Sequence, residues 1–125
     1  MDYTTIPFPS ASQDLTIKVP VNHRETVVFE GPIGLRDPTL LKSVLDRLRT
    51  IGVKNVVVDF SSFPAECRMD NLAVLEGAIG RMYGFKTRYA GISADKTYFK
   101  ESSFRDSIAP KIFERLDDAV ESFSE

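Results

Sequence analysis

The sequence predicts an α/β fold, and three segments support that prediction. Residues 55–59, Asn-Val-Val-Val-Asp, form an apolar run rich in β-branched side chains, which is typical of a buried central strand in a parallel sheet. Residues 38–51, just before this run, carry apolar side chains at helical spacing. Residues 14–31 contain two short strand-like runs separated by a turn. The sequence therefore predicts an antiparallel hairpin followed by a β-α-β unit.

The composition is that of one globular domain. The chain has 125 residues, of which 42% are hydrophobic and 27% are charged, so it is long and apolar enough to form a single core. Its 16 basic and 18 acidic side chains give a net charge of −2. Because nucleic-acid binding relies on an excess of basic residues, we expect no nucleic-acid partner.

Residues that bind metals or form disulfides are scarce. Cys67 is the only cysteine and His23 the only histidine, so neither an intramolecular disulfide nor a multi-cysteine zinc site can form within the chain. We expect no metal and no cofactor. The start of the chain lacks the pattern of a secretory signal, and no apolar stretch approaches the roughly 20 residues that span a bilayer. We therefore expect a cytoplasmic protein with no membrane insertion.

The first half of the chain divides into an arm and a hairpin. Residues 1–12 contain two prolines and few core-forming side chains, which predicts a flexible N-terminal arm, and residues 13–125 form the domain. Asp14–Pro20 alternates polar and apolar residues as a half-buried strand does, and Glu25–Gly31 supplies a second strand. Only four residues, 21–24, connect them, so the two strands are expected to be antiparallel.

The first helix has a clear start and a clear end. Asp37 supplies a side-chain acceptor at the N-cap, and Pro38 is favoured at the first helical position. Gly52 ends the helix, and the Val56–Phe60 strand follows directly. The apolar stripe of this helix contains Leu40, Leu41, Val44, Leu45, Leu48 and Ile51.

The second half repeats the alternation of helix and strand. A second helical stripe follows the loop after residue 60, a strand is expected at Lys86–Ser93, and residues 94–109 are interpreted as helix plus loop. Ile112–Phe113 is a short apolar step before a C-terminal amphipathic helix. The second stripe consists of Leu72, Leu75, Ile79 and Met82, and the C-terminal one of Leu116, Ala119, Val120 and Phe123.

This order of elements resembles the STAS domain, a family named after sulfate transporters and anti-sigma factor antagonists. The matching motifs are residues 27–33 (Val-Val-Phe-Glu-Gly-Pro-Ile), residues 56–62 (Val-Val-Val-Asp-Phe-Ser-Ser) and residues 112–120 at the end of the chain. The resemblance covers residues 13–123. It implies a mixed sheet of four to five strands with helices packed mainly on one face, and a regulatory role through contact with another protein.

One motif of the antagonist branch is missing here. In that branch a serine in an Asp-Ser-Ser-Gly sequence, at the start of the second helix, is phosphorylated by a partner kinase. The equivalent residues are 67–70 (Cys-Arg-Met-Asp) or, with one inserted residue, 68–71 (Arg-Met-Asp-Asn), and neither register has a serine. Asp70 supplies a permanent negative charge instead, near the position where phosphoserine would carry about −1.5 to −2. The resemblance therefore implies an antagonist-like domain that serine phosphorylation does not control at the usual site.

The loop and helix start at residues 61–71, together with the neighbouring 31–37 turn, are thus the predicted site of partner binding. The expected partner is a protein, either an anti-sigma kinase-like protein or a signalling scaffold. Ser61 and Ser62 are further candidate phospho-acceptors, and Asp70 also suits the simpler role of helix N-cap. We expect no catalysis, because the loop has no nucleophile–base pair and no glycine-rich phosphate loop. The predicted partner-binding residues are Glu66, Cys67, Arg68, Met69, Asp70 and Asn71.

Three alternatives remain open from the sequence. The chain could be a scaffold or accessory subunit of a larger assembly, including a homodimer. It could be a small-molecule or nucleotide sensor that uses the crevice at the strand ends. Cys67 could also be a redox switch, because a neighbouring arginine and a helix N-terminus both favour the thiolate.

Overall fold

A six-stranded mixed sheet organises the chain. The structure, a computed structural model, describes residues 2–6, 16–30, 38–61, 79, 83–91 and 111–124. The strands are β1 (Tyr3–Ile6), β2 (Thr16–Pro20), β3 (Thr26–Glu30), β4 (Asn55–Asp59), β5 (Lys86–Ala90) and β6 (Ile112–Phe113). The helices are α1 (Pro38–Thr50) and α2 (Leu116–Glu121), and a 3-10 turn at Ser122–Ser124 follows α2.

The strands lie in the sheet in the same order as in the chain. β1, β2 and β3 are antiparallel neighbours, whereas β3, β4, β5 and β6 are parallel. The predicted hairpin of β2 and β3 is therefore confirmed, and so is the parallel pairing across α1. The register places Val28 beside Val57 and Val57 beside Arg88. The parallel strands thus end together at one edge of the sheet.

The first helix covers one face of this sheet. The buried side chains of α1 pack against alternate residues of the central strands, among them Val27, Phe29, Val56 and Val58. Every second residue of a strand faces the same side of the sheet, and every third or fourth residue of a helix lies on the same helix face. These side chains therefore meet in one layer between α1 and the sheet. The buried residues contributed by α1 are Leu41, Val44, Leu45 and Leu48.

The opposite face is covered by α2. Ala119 and Val120 pack against Val28, Val57 and Ala90, which are the intervening residues of the central strands. The expectation of helices mainly on one face also concerns the segments 72–82 and 94–109, most of which lies outside the described residues, so it stays a prediction. Of the two helices that the structure describes, α1 covers one face and α2 the other. The physical reason is that β3 and β4 are apolar on both faces, so both faces must be kept from water.

The strand count differs from the expected four to five. β1 lies within residues 1–12, the segment expected to be a flexible arm, and it pairs with β2 from Tyr3 opposite Pro20 to Ile6 opposite Ile17. Its two central residues are both threonines, so it lacks the apolar alternation that identified the other strands. β6, expected only as a short apolar step, pairs with β5 through two residues.

Two expected elements fall largely outside the described residues. These are the helix predicted around residues 72–82, of which the structure describes only Ile79, and the segment 94–109. Ile79 is fully buried and belongs to the core on the α1 face. Within the described part of the chain, no helix is long and apolar enough to cross a membrane.

Candidate functional site

The carboxyl edge of the parallel strands is where the predicted binding loop begins. β3 ends at Glu30, β4 at Asp59 and β5 at Ala90, and the parallel register places these ends side by side. Loops at this edge of an α/β sheet commonly form binding sites, because the strands fix where each loop starts. The geometry at the end of β4 therefore determines how residues 61–71 leave the sheet.

Asp59 fixes the first turn of that loop. Its Oδ1 atom accepts a hydrogen bond from the backbone N–H of Ser61 at 3.0 Å, although the Asp59 residue is only 7% exposed. The backbone N–H of Phe60 donates to the carbonyl oxygen of Ala90 at 2.9 Å. An aspartate that accepts a hydrogen bond from the backbone two residues later holds the chain in a tight turn. The start of the loop is thus anchored to both β4 and β5.

Gly91 lets the backbone segments after β4 and β5 approach closely. It has a φ of +76°, and a Cβ atom built on it would lie 2.5 Å from the nitrogen of Ser61 and 2.9 Å from Oδ1 of Asp59. A side chain at this position would therefore collide with the turn that Asp59 holds. Only glycine combines the left-handed conformation with the absence of a Cβ atom.

The second carboxylate at this edge belongs to Glu30. Its Oε1 atom lies 2.7 Å from Nζ of Lys18, and both side chains are half-buried. The ion pair joins β2 to β3. Lys18 lies opposite Val28 in the antiparallel register, and Glu30, two residues further along β3, is on the same face of the sheet. Glu30 thus has a partner of opposite charge within the sheet.

The structure describes one of the predicted site residues. Ser61 is exposed and lies at the first turn after β4, as the sequence predicted from the end of the strand. The remaining predictions lie outside the described residues, so the structure neither brings these side chains together nor separates them. They are Ser62, Glu66, Cys67, Arg68, Met69, Asp70 and Asn71, together with the 31–37 turn.

A polar contact between the two ends of the chain was not predicted from the sequence. The hydroxyl of Tyr3 in β1 donates to Oδ1 of Asp117 in α2 at 2.7 Å. Partial burial, and then this bond to a carboxylate, raise the pKa of Tyr3 well above its usual range. The same bond lowers the pKa of Asp117. Periodicity and turn motifs in the sequence do not predict this contact, because the two residues are 114 positions apart.

Arg88 holds the C-terminal segment against the sheet. Its Nε atom donates to Oγ of Ser122 at 3.0 Å, and its guanidinium lies 4.7 Å from the centre of the Phe123 ring. Its Nη1 atom donates to the carbonyl oxygen of Thr87 at 2.8 Å. Ser122 in turn donates to the carbonyl of Ala119 at 2.6 Å. A single side chain of β5 therefore fixes the 3-10 turn that follows α2.

Neither the described side chains nor comparison with other proteins assigns an activity. Within residues 2–6, 16–30, 38–61, 79, 83–91 and 111–124, no group of three histidine, cysteine, aspartate or glutamate side chains could hold a metal ion. Comparison of the chain with protein-family models, with curated proteins and with solved structures found no match.

Proposed function

We propose that this protein is a non-catalytic regulatory domain that binds another protein through residues 61–71, in the manner of an anti-sigma factor antagonist. The observation that carries the proposal is the anchored start of this loop, where Asp59 holds the backbone of Ser61 and Gly91 packs against both. The proposed setting is the cytoplasm.

An anchored loop start favours protein recognition for an energetic reason. A binding loop loses conformational entropy when it is ordered against a partner, and each residue already fixed before binding reduces that cost. Ser61, the first residue of the 61–71 loop, is held by a hydrogen bond to the Asp59 side chain, and Phe60 before it by a backbone hydrogen bond to Ala90. The loop contains both charged and adaptable apolar side chains, among them Arg68, Met69 and Asp70. Charge gives orientation and specificity, and methionine adapts to apolar surfaces.

The regulatory part of the proposal concerns Asp70. The resemblance to STAS domains places this carboxylate at or next to the position of a phosphorylated serine. A fixed negative charge there would hold the domain in one binding state. A serine would instead let the domain change between two binding states as phosphate is added and removed. We therefore propose that the partner complex of this chain is not switched by serine phosphorylation at this position.

Affinity capture from a native lysate tests the binding surface. The Arg68→Glu variant is compared with Arg49→Glu, which makes the same charge change on the exposed last turn of α1. We expect a stoichiometric protein partner with the wild type and with Arg49→Glu, and a loss of at least tenfold with Arg68→Glu. Equal capture by all three proteins, or no partner with any of them, would contradict the proposal.

Phosphorylation is tested separately with an Asp70→Ser variant. Wild type and variant are incubated with the partner kinase or with lysate and ATP, and phosphate is located by mass spectrometry. We expect phosphate within residues 61–71 only on the variant. Phosphate on Ser61 or Ser62 of the wild type would show that the loop is still a phosphorylation site, which would overturn the regulatory part of the proposal.

A further inference from the structure

A second surface is formed by the described segments at the sheet edge opposite Ser61, where backbone hydrogen bonds join neighbouring segments. Here the parallel strands begin and α1 ends. The backbone N–H of Lys54 donates to the carbonyl of Glu25 at 2.9 Å, and that of Lys86 donates to the carbonyl of Lys54 at 3.0 Å. The N–H of Val21 donates to the carbonyl of Asp2 at 3.0 Å. We call this surface the amino edge, and it comprises residues 2, 21–25, 47–54 and 83–86.

The amino edge is positively charged although the chain is not. Counted over the described residues of this edge, five cations lie against two carboxylates, which gives these residues a charge of +3, while the whole chain carries −2. One of the carboxylates, Glu25, lies 3.5 Å from the ammonium group of Lys54 and offsets part of its charge. The five cations are Arg24, Arg47, Arg49, Lys54 and Lys86, and all are exposed.

Exposed apolar side chains are concentrated on the same edge. Ile51 is 62% exposed and Val21 is 54% exposed, and these are the two large hydrophobic residues that the described part of the chain leaves open to water. Ile51 follows the last turn of α1, and Val21 lies in the β2–β3 turn. Single exposed aliphatic residues are ordinary, but their coincidence with the cations of the amino edge indicates a binding surface.

We propose that the amino edge binds peripherally to a membrane surface rich in anionic phospholipids. Lysine and arginine side chains are attracted by the anionic headgroups, and aliphatic side chains enter the interfacial region without needing a pocket of matching shape. An acidic surface of a second copy, such as that of α2 with Asp117 and Asp118, would satisfy the cations but would have to supply a matching apolar site for Ile51 and Val21. The membrane is therefore the better fit.

This surface is independent of the proposed protein-binding loop. Residues 61–71 begin at the carboxyl edge, whereas the amino edge lies at the other end of the same strands. A domain bound to lipid through its amino edge would hold Ser61, where the loop begins, at the end of the strands that is farther from the membrane. Failure of either proposal leaves the other intact.

Sedimentation with lipid vesicles tests the inference on the full chain. The vesicles are phosphatidylcholine with and without phosphatidylserine, at about 0.1 M NaCl, where the screening length is about 10 Å. We expect sedimentation only with phosphatidylserine, and release at about 1 M NaCl, where that length falls to about 3 Å. Because each cation near an anionic surface contributes about fivefold to partitioning, Arg49→Glu/Lys86→Glu should bind at least about 25-fold more weakly.

A matched variant separates local charge from net charge. Lys42→Glu/Arg115→Glu makes the same total charge change at two exposed residues outside the amino edge, Lys42 in the first half of α1 and Arg115 directly before α2. Its binding to phosphatidylserine vesicles should stay close to that of the wild type. Ile51→Ser should weaken binding about tenfold, and circular dichroism should confirm that all three variants are folded. Equal sedimentation with neutral vesicles, equal losses in both double variants, or sedimentation without vesicles through self-association would each overturn the proposal.

Discussion

Replacement of Gly91 by alanine tests the close approach at the carboxyl edge of the sheet. Gly91 and Gly84 share a φ of +76°, but their surroundings differ. A Cβ atom at residue 91 would lie 2.5 Å from the nitrogen of Ser61, whereas one at residue 84 would have no heavy atom within 4 Å. Gly84→Ala is thus a control that shares the backbone strain and lacks the collision.

The size of the effect follows from these two contributions. The left-handed conformation costs a non-glycine residue about 1–2 kcal/mol, and this applies to both variants. Forcing a methyl group against fixed backbone costs about 1–3 kcal/mol more, and this applies to residue 91 alone. We therefore expect Gly91→Ala to lower the free energy of unfolding by about 2–5 kcal/mol and Gly84→Ala by about 1–2 kcal/mol. For a domain whose total stability is about 5–15 kcal/mol, this difference is readily measured.

Urea denaturation and thermal melting of the two variants provide the assay. The difference of about 1–3 kcal/mol corresponds to a Tm lower by about 4–12 °C for Gly91→Ala than for Gly84→Ala. Hydrogen exchange at the amide of Ser61 should also accelerate in Gly91→Ala, because that amide donates to Asp59. Equal stabilities of the two variants, with unchanged exchange at Ser61, would refute the close packing of this edge.

Three further predictions concern the core and the two ends of the chain. Leu45→Ala should cost about 2–5 kcal/mol in chemical denaturation because Leu45 is fully buried, whereas Ile51→Ala should cost less than about 0.5 kcal/mol. Arg88→Gln should speed amide exchange in residues 119–124 and cost roughly 1–3 kcal/mol, because the bond to Ser122 and the contact with the Phe123 ring are lost. Because the pKa of Tyr3 is raised in the folded protein, the stability linked to it should be lost above about pH 10, where the tyrosine of the unfolded chain ionises first. Because the pKa of Asp117 is lowered, the stability linked to it should be lost below about pH 4, where the aspartate of the unfolded chain takes up a proton first. Thermal melting of the wild type and of Tyr3→Phe from below about pH 4 to above about pH 10 measures both losses of stability. Identical pH profiles of the two proteins would contradict the hydrogen bond between Tyr3 and Asp117.

Much of the described fold could be predicted from the sequence because it depends on neighbouring residues. The strand predicted at Val56–Phe60 is confirmed as β4, which the structure places one residue earlier at Asn55–Asp59, and the predicted helix start at Pro38 is confirmed. The antiparallel pairing of β2 and β3 follows from the short turn between them. In each case a period of two or of 3.6 residues, or a residue with restricted backbone angles, contains the signal within the segment itself.

The missed elements lacked such a local signal. β1 is short and its centre is polar, so only pairing with β2 identifies it as a strand. The position of α2 on the face opposite α1 depends on which side of β3 and β4 remains uncovered. Sequence periodicity predicts that a helix has an apolar face, but it does not say which layer of the sheet that face meets.

The sequence by itself determined the α/β class, the order of the described strands and helices from β2 onwards, and the position of Ser61 directly after a buried strand. Only the tertiary structure decided that Gly91 packs against Ser61, that Tyr3 bonds to Asp117, and that the cations and exposed aliphatic side chains share the amino edge. The reason is distance along the chain. Periodicity and turn chemistry act over a few residues, whereas these contacts join segments that only the complete sheet brings together.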